Sequence, residues 1–263
     1  MQRYFVIVLA VAVAACAVPA PVDAGFGFRL NGGLAYVTYS DFNDFVAHVN
    51  EKELPALGVT GTLDNIHWVP EVNGEVLFSP LPMITVGVGA GIISGKSEFS
   101  YMIFGVESIY EHTLRAYPLA VTGYYDISVP GAAIDLYVQG GFAAIYSKIT
   151  FDTKLTAGDD SEGLDAELTT WGYELHGGGG VKFAIFPKVS IDLGVRGRWA
   201  SLDGYEGTGT VIGEGDYDVF LAKEKTEDYF LYGPEQVEHR EQYEEASVDL
   251  TGFAVTLGVT VSF

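Results

Sequence analysis

The sequence predicts an all-β chain: a closed, antiparallel, eight-stranded β-barrel that crosses a membrane on its strands, with short turns at one end and long loops at the other. Three observations predict it. The chain ends on a strand in which bulky apolar residues alternate strictly with small or polar ones. The same two-faced pattern recurs seven times upstream, and the connections between these segments alternate short and long. Beyond the N-terminus no apolar stretch reaches the roughly 20 residues of a membrane-spanning helix. Yet the chain carries 33 Gly, 16 Tyr and 16 Phe and a positive mean hydropathy of +0.22, as expected for short strands punctuated by turns.

The final strand sets the template. Phe253, Val255, Leu257, Val259, Val261 and Phe263 share one face, and Gly252, Ala254, Thr256, Gly258, Thr260 and Ser262 the other, because successive strand side chains point to opposite sides. Its length fits the 9–11 residues of a tilted membrane strand. Going upstream, Ile191, Leu193, Val195 and Trp199 oppose Asp192, Gly194, Arg196 and Arg198. Trp171, Tyr173, Leu175, Val181, Phe183 and Ile185 oppose Glu174, His176, Gly178, Gly180 and Lys182. Ile134, Leu136, Val138, Phe142 and Tyr146 oppose Asp135, Tyr137, Gln139 and Gly141, and Tyr117, Leu119, Val121, Tyr125 and Ile127 oppose Ala120, Thr122, Tyr124 and Asp126. The first three strands are weaker: Phe28, Leu30, Leu34 and Tyr36 against Arg29, Asn31 and Gly33; a segment near Val69–Phe78 with Glu71, Asn73 and Glu75 on its polar face; and Ile84, Val86, Val88 and Ile92 against Thr85, Gly87, Gly89 and Gly91.

Tight turns are expected at Ser79–Pro82, Val129–Ala132 and Phe186–Lys188. Long links are expected at about Ser40–Trp68, Lys96–Thr113, Thr153–Glu167 and Leu202–Ala246. Strict alternation, with both chain ends on the short side, matches transmembrane barrels with short periplasmic turns and long extracellular loops. The bulky face must look outward. The opposite choice would aim Arg196, Arg198, Lys182, Glu174 and Asp192 at lipid, at about 2–4 kcal/mol for each Arg or Lys near the midplane. Closure follows because an open sheet would leave unpaired backbone groups in hydrocarbon.

The N-terminus reads as an export signal. Arg3 precedes an apolar run from Tyr4 to Ala15, too short to span a bilayer, and Pro19 and Pro21 end it. Val22-Asp23-Ala24 places small or aliphatic residues at −3 and −1, so residues 1–24 are expected to be the signal and 25–263 the barrel domain. Val13-Ala14-Ala15-Cys16 also resembles a lipobox, which leaves lipidation at the sole cysteine, Cys16, as the alternative. With cleavage at Ala24 the mature chain has no thiol chemistry.

The terminal Val259-Thr260-Val261-Ser262-Phe263 resembles the C-terminal assembly signal of bacterial outer-membrane barrels, and Leu119–Tyr125 with the Gly-rich strands resembles the small OmpX/OmpW-type barrel families. The likeness covers the strands of residues 26–263 but not the loops. It implies an integral protein of the outer membrane of a diderm bacterium, inserted by the barrel assembly machinery through the last strand.

The chemistry-bearing residues gather on the polar face: Arg29, Glu71, Glu75, Asp126, Asp135, Glu174, His176, Lys182, Asp192, Arg196 and Arg198. An eight-stranded barrel is just wide enough for side chains to fill, and buried charges persist when paired. The expectation is therefore a self-plugged lumen; the alternative is a polar conduit. Glu174 and His176 share a face and resemble a base with its orienting carboxylate, but Gly172 and Gly178 flank them and supply no serine. His48, His67, His112 and His239 lie in or beside loops, where solvation explains them. The loop from Asp203 to Glu245 holds thirteen acidic residues; Asp216 and Asp218 are suggestively spaced, but no complete calcium loop is present. Tyr229–Tyr232 are expected to pair as a hairpin with Val219–Ala222, the alternative being a contact patch for a partner. Phe42, Phe45, Val46 and Val49 recur at helical spacing after a possible cap at Ser40 or Asp41 and suit a lid over the barrel mouth. Trp68, Tyr117, Trp171, Tyr173 and Trp199 suit an interfacial girdle.

The net charge of −21 argues against nucleic acid as a partner. The sequence predicts a non-enzymatic barrel without cofactor or metal, whose partners are outer-membrane lipid and lipopolysaccharide, the assembly machinery and an unidentified surface ligand. Its role is structural or in surface contact; a passive transporter for small, apolar molecules and a lipid-modifying hydrolase are the alternatives.

Overall fold

Strict alternation over many residues is what a ladder of long antiparallel strands requires, and the computed structural model builds one. It describes residues 25–263 apart from 57, 60–61, 104–105, 132–133, 158–159, 212–214, 225–229 and 232–242. The expectations placed on residues 1–24, including Cys16 and cleavage at Ala24, lie outside the described residues. The strands are β1 (Gly25–Val37), β2 (Trp68–Leu81), β3 (Ile84–Ile103), β4 (Val106–Ser128), β5 (Ile134–Ala157), β6 (Asp160–Phe186), β7 (Val189–Leu202), β8 (Glu206–Val211), β9 (Gly215–Phe220), β10 (Ala222–Glu224), β11 (Phe230–Leu231), β12 (Tyr243–Glu245), β13 (Val248–Asp249) and β14 (Gly252–Ser262). β1 through β7 pair in sequence order, and β14 pairs with both β7 and β1. The eight strands thus form an antiparallel ring, with every strand hydrogen-bonded on both sides. Gly25, where the described residues begin, and the C-terminal end of β14 sit at the end of the short turns, since Gly25 pairs with Ser79 and Gly27 with Ser262. We call this end the lower one.

Two of the four expected long loops are instead strands. β3 and β4 stay paired up to Ile103 and Val106, and β5 and β6 up to Ala157 and Asp160. The physical reason is that alternation continues through these segments with its phase inverted. On β4 the outward residues from Ile127 up to Tyr117 are apolar or Gly, whereas Arg115, Thr113 and Glu111 point outward above it. The inward positions change the other way, from Asp126, Tyr124 and Thr122 to Ala116 and Leu114. β5 switches at Tyr146, with Lys148, Thr150 and Asp152 outward and Ile145, Ile149 and Phe151 inward. β6 switches at Trp171, with Thr169, Glu167 and Asp165 outward and Leu168 and Ala166 inward. Tyr117, Tyr146 and Trp171 are direct cross-strand neighbours, and their ring centroids are 6.1 and 5.3 Å apart.

Below that boundary the exterior is apolar all round. Phe28, Leu30, Val76, Val138, Leu175, Val195, Leu257 and Val259 are all exposed. Tyr36, Trp68 and Phe253 pack edge to face or stacked at the upper margin. At the lower one Phe26 packs tilted against Phe78, and Phe28 edge to face with Phe263. The ten residue steps from Phe26 to Tyr36 rise about 25 Å at ~3.3 Å per residue and a tilt of about 40°.

Above the boundary the interior is a dry core. Ala35, Val37, Val69, Ile93, Leu114, Ile145, Ile149, Leu168, Ala200, Leu202 and Ala254 converge there, fully buried or nearly so. The first long link covers it with helix α1 (Ser40–His48), one π-helical turn (Val49–Glu53) and α2 (Leu54–Ala56). Phe42 and Val46 of α1 are buried in the core, as a lid requires. The expected cap is corrected: the N-cap is Tyr39, in the left-handed region at φ 44, with no side-chain cap bond. The Asp41 carboxylate instead accepts from Ser247 N at 2.7 Å. The hairpin expected from Tyr229–Tyr232 and Val219–Ala222 forms in part, through Leu231 and Ala222, and is shifted along the chain. Phe230 and Leu231 pair with Lys223 and Ala222, while Val219 and Phe220 belong to β9 and pair with β8.

Candidate functional site

The residues with chemical potential lie inside the ring, in tiers below the apolar core. Lys182 of β6 forms an ion pair with Asp126 of β4 in the lowest tier, and Asp135 of β5 lies opposite Lys182 in the ladder. These side chains are part-exposed, so the lower mouth is wet.

The next tier is buried and centred on Arg29 of β1. Its guanidinium pairs with Asp192 of β7, lies 3.9 Å from Glu75 Oε2 and donates to Tyr137 Oη at 2.9 Å. The Tyr124 and Tyr137 rings each lie 5.2 Å from the guanidinium carbon, a cation–π sandwich, and Tyr124 Oη donates to Glu75 at 2.5 Å. Glycine makes this tier possible: a Cβ on Gly194 would sit 2.3 Å from Tyr137 Oη, and one on Gly180 2.7 Å.

The third tier is built on Glu71 of β2, which is 1% exposed. Arg196 donates to its Oε1 at 2.7 Å, Arg198 bonds its Oε2, and Asn73 donates to it at 3.3 Å. Arg198 also lies 3.9 Å from Glu174. His176 Nδ1 is 3.1 Å from Glu174 Oε1 but makes no directed hydrogen bond to it, and its Nε2 lies 3.0 Å from Thr122 Oγ1. The structure thus supplies a hydroxyl that the same-strand neighbours of His176 do not, since Thr122 comes from β4. The trio has the order of a nucleophilic relay, but Thr122 is 1% exposed and Glu174 2%. All three side chains are buried, between the apolar core above and the Arg29 tier below.

Four basic side chains (Arg29, Lys182, Arg196, Arg198) face six carboxylates (Glu71, Glu75, Asp126, Asp135, Glu174, Asp192) across these tiers. All except Asp135 have an ion-pair partner among the described residues. Sequence reasoning missed the apolar core over them and the contributions of Thr122, Tyr124 and Tyr137. The inverted alternation above Tyr117, Tyr146 and Trp171 was the available signal for the core.

Among the other histidines, His67 stacks on Tyr36 at 5.3 Å, and His239 lies outside the described residues. His112 is not solvated, contrary to the expectation for a residue in a loop. It is 6% exposed because its segment is strand, and it points inward against Phe42, with ring centroids 4.2 Å apart. Burial pushes its pKa down to about 3.

On the outer surface above the boundary, Glu98, Glu111, Asp152 and Asp165 stand directly opposite one another across β3 to β6. Burial, then the neighbouring Asp165 and Glu111 carboxylates, raises the Asp152 pKa. Asp216 accepts from Thr210 at 2.7 Å. Among the described residues no group of three or more His, Cys, Asp or Glu is arranged to hold a metal. In the apolar belt, a shallow groove of about 700 Å³ lies over Gly74 and Ala90, rimmed by Phe28, Leu30, Leu119 and Val259. The β1–β2–β3 ladder beneath it is continuous.

No family model matches the chain, and no curated protein does. Among solved structures it is similar to Neisserial surface protein A (12% identity, TM-score 0.36, 91% of this chain and 99% of that one). It is also similar to a major outer membrane protein from Thermus thermophilus (11%, TM-score 0.42, 90% and 99%). A third is the outer membrane protease OmpT from Escherichia coli (12%, TM-score 0.25, 91% and 96%).

Proposed function

We propose that the chain is an integral outer-membrane β-barrel of a diderm bacterium that serves as a non-enzymatic, closed scaffold presenting an acidic surface above the bilayer. The observation that carries this reading is the phase inversion at the Tyr117–Tyr146–Trp171 boundary. A water-soluble barrel keeps one phase, apolar inside; a strand that leaves hydrocarbon for water must exchange its faces at the interface. Strands free of unpaired edges in the apolar belt suit a medium without water to satisfy backbone groups, and the belt has the thickness of a bilayer core.

The ion-paired tiers support a charge-filled lumen that does not conduct, and the dry core under α1 supports closure from above. The carboxylate row on β3–β6 suits hydrated contact with lipopolysaccharide through divalent cations. Phe263 packing on Phe28 at 5.9 Å suits a terminal strand read by the barrel assembly machinery. The transporter reading needs a lined opening in the barrel wall or mouth; against it stand the continuous ladder below the groove at Gly74 and the packing of α1 over the upper mouth.

Reconstitution in planar bilayers tests the scaffold reading. The expected record is flat, with no steady unitary conductance. A reproducible ohmic channel would refute the closed lumen, and a mature chain that remained monomeric in buffer without detergent would refute the membrane assignment itself.

A further inference from the structure

His112 is the buried titratable group that the scaffold reading leaves without a role. We propose that α1 is an acid-released lid and that His112, stacked beneath it, is the latch. The helix starts at Tyr39, whose φ of 44 is a left-handed conformation that a bulky residue adopts only when its surroundings hold it. Those surroundings are specific. Tyr39 Oη lies 2.5 Å from His112 Nε2, Phe42 stacks on the imidazole at 4.2 Å and Phe151 lies against it at 4.5 Å. The lid is further fastened at its edges, where Asn43 Oδ1 accepts from Ile66 N at 3.0 Å and Asp41 accepts from Ser247. His112 is therefore the buried ionisable side chain beneath the lid; Asp41, held by Ser247, and His67, whose Nδ1 lies 3.4 Å from Asn43 Nδ2, stand at the edges of the same seam.

The groups facing it leave a proton no counter-charge. Tyr39 is in direct contact, and burial raises its own pKa, so it stays a neutral phenol; Tyr205 lies behind Tyr39 and is likewise raised by burial. From β3 the opposite residue is Ser97, and from β5 Phe151. Lys96, Glu98, Glu111 and Asp152 point to the outer face of the same strands. On α1, Asp41 is turned to Ser247 and Asp44 is exposed. His112 Nδ1 is itself buried with no hydrogen-bond partner, so an imidazolium would place an unsatisfied N–H and a charge in the apolar core.

The sign follows from linkage. Burial lowers the closed-state pKa of His112 from the ordinary 6.5 to about 3, so closure is fully favoured above about pH 6.5 and is weakened as pH falls from there towards 3. At pH 4.5, two units below the open-state value, the opening equilibrium rises roughly 100-fold. Protonation opens the lid because the open state hydrates the imidazolium.

Hydrogen exchange on the full chain in detergent micelles tests this. After correction for intrinsic chemistry, amides of residues 39–48 should exchange about 100-fold faster at pH 4.5 than at pH 7.5, while the β5–β6 ladder stays protected. His112→Phe, which keeps the stack and removes the titration, should abolish the difference. His112→Gln should do the same if the phenylalanine variant does not assemble. An acid response that survives in either variant, no response in the native chain, or acceleration shared by the β5–β6 ladder would each overturn the latch.

Discussion

A lysine placed on the outward face of β5 should be ruinous or harmless according to which side of Tyr146 it occupies. Val138 is 50% exposed and lies about two residues from the middle of the apolar belt on its strand. Thr150 shares the same face twelve residues later and stands opposite Glu167. At Val138 the new ammonium would sit in hydrocarbon near the midplane, at a cost of about 2–4 kcal/mol. That is roughly a 30- to 1000-fold loss in the folding equilibrium. At Thr150 it would sit in water beside a carboxylate, as Lys148 already does with Glu167. Exposed substitutions of this kind stay within about 0.5 kcal/mol. A third variant, Ile149→Lys, points the same charge into the dry core, where Ile149 is fully buried, and should prevent the upper region from folding. Urea titration of the chain folded in lipid vesicles, followed by tryptophan fluorescence and by heat-modifiable mobility, measures all three. The reasoning fails if Val138→Lys and Thr150→Lys shift the midpoint equally, or if Val138→Lys is neutral.

Two further outcomes concern the interior. Glu71→Gln leaves Arg196 and Arg198 without their shared carboxylate and should cost about 3–5 kcal/mol. Adding Arg196→Met should recover much of that loss, because Arg198 keeps Glu174 within 3.9 Å; equal midpoints for the single variant and the native chain would deny the ion-pair tier any structural weight. Gly194→Val puts a branched side chain where Tyr137 Oη now lies and should cost about 1–3 kcal/mol through overpacking. Restored stability in Gly194→Val with Tyr137→Phe would locate the clash at that hydroxyl.

Local sequence sufficed for the membrane half of the ring. Period-two alternation fixes which residues share a face, and the cost of Arg196, Arg198 or Lys182 in lipid fixes which face is inside, so strand number, orientation and the polar interior followed from residues such as Leu193–Arg198. The helix over Ser40–His48 was legible from the spacing of Phe42, Phe45 and Val46. Its cap was not, because Tyr39 is held in place by His112 and Asp249, residues 73 and 210 positions away. The upper hairpins do not read as strands because their outward faces carry Glu111, Lys148, Thr150 and Glu167, and polarity alone resembles a loop.

What the chain determined by itself is therefore alternation, which is a property of neighbouring residues. What only the tertiary structure decided is partnership: that Glu71 would meet Arg196 and Arg198, that Thr122 would reach His176 across β5, and that the upper interior would close as an apolar core under α1. Register between distant strands sets those contacts, and register is a sum over the whole ring of hydrogen bonds and packed side chains that no single segment contains.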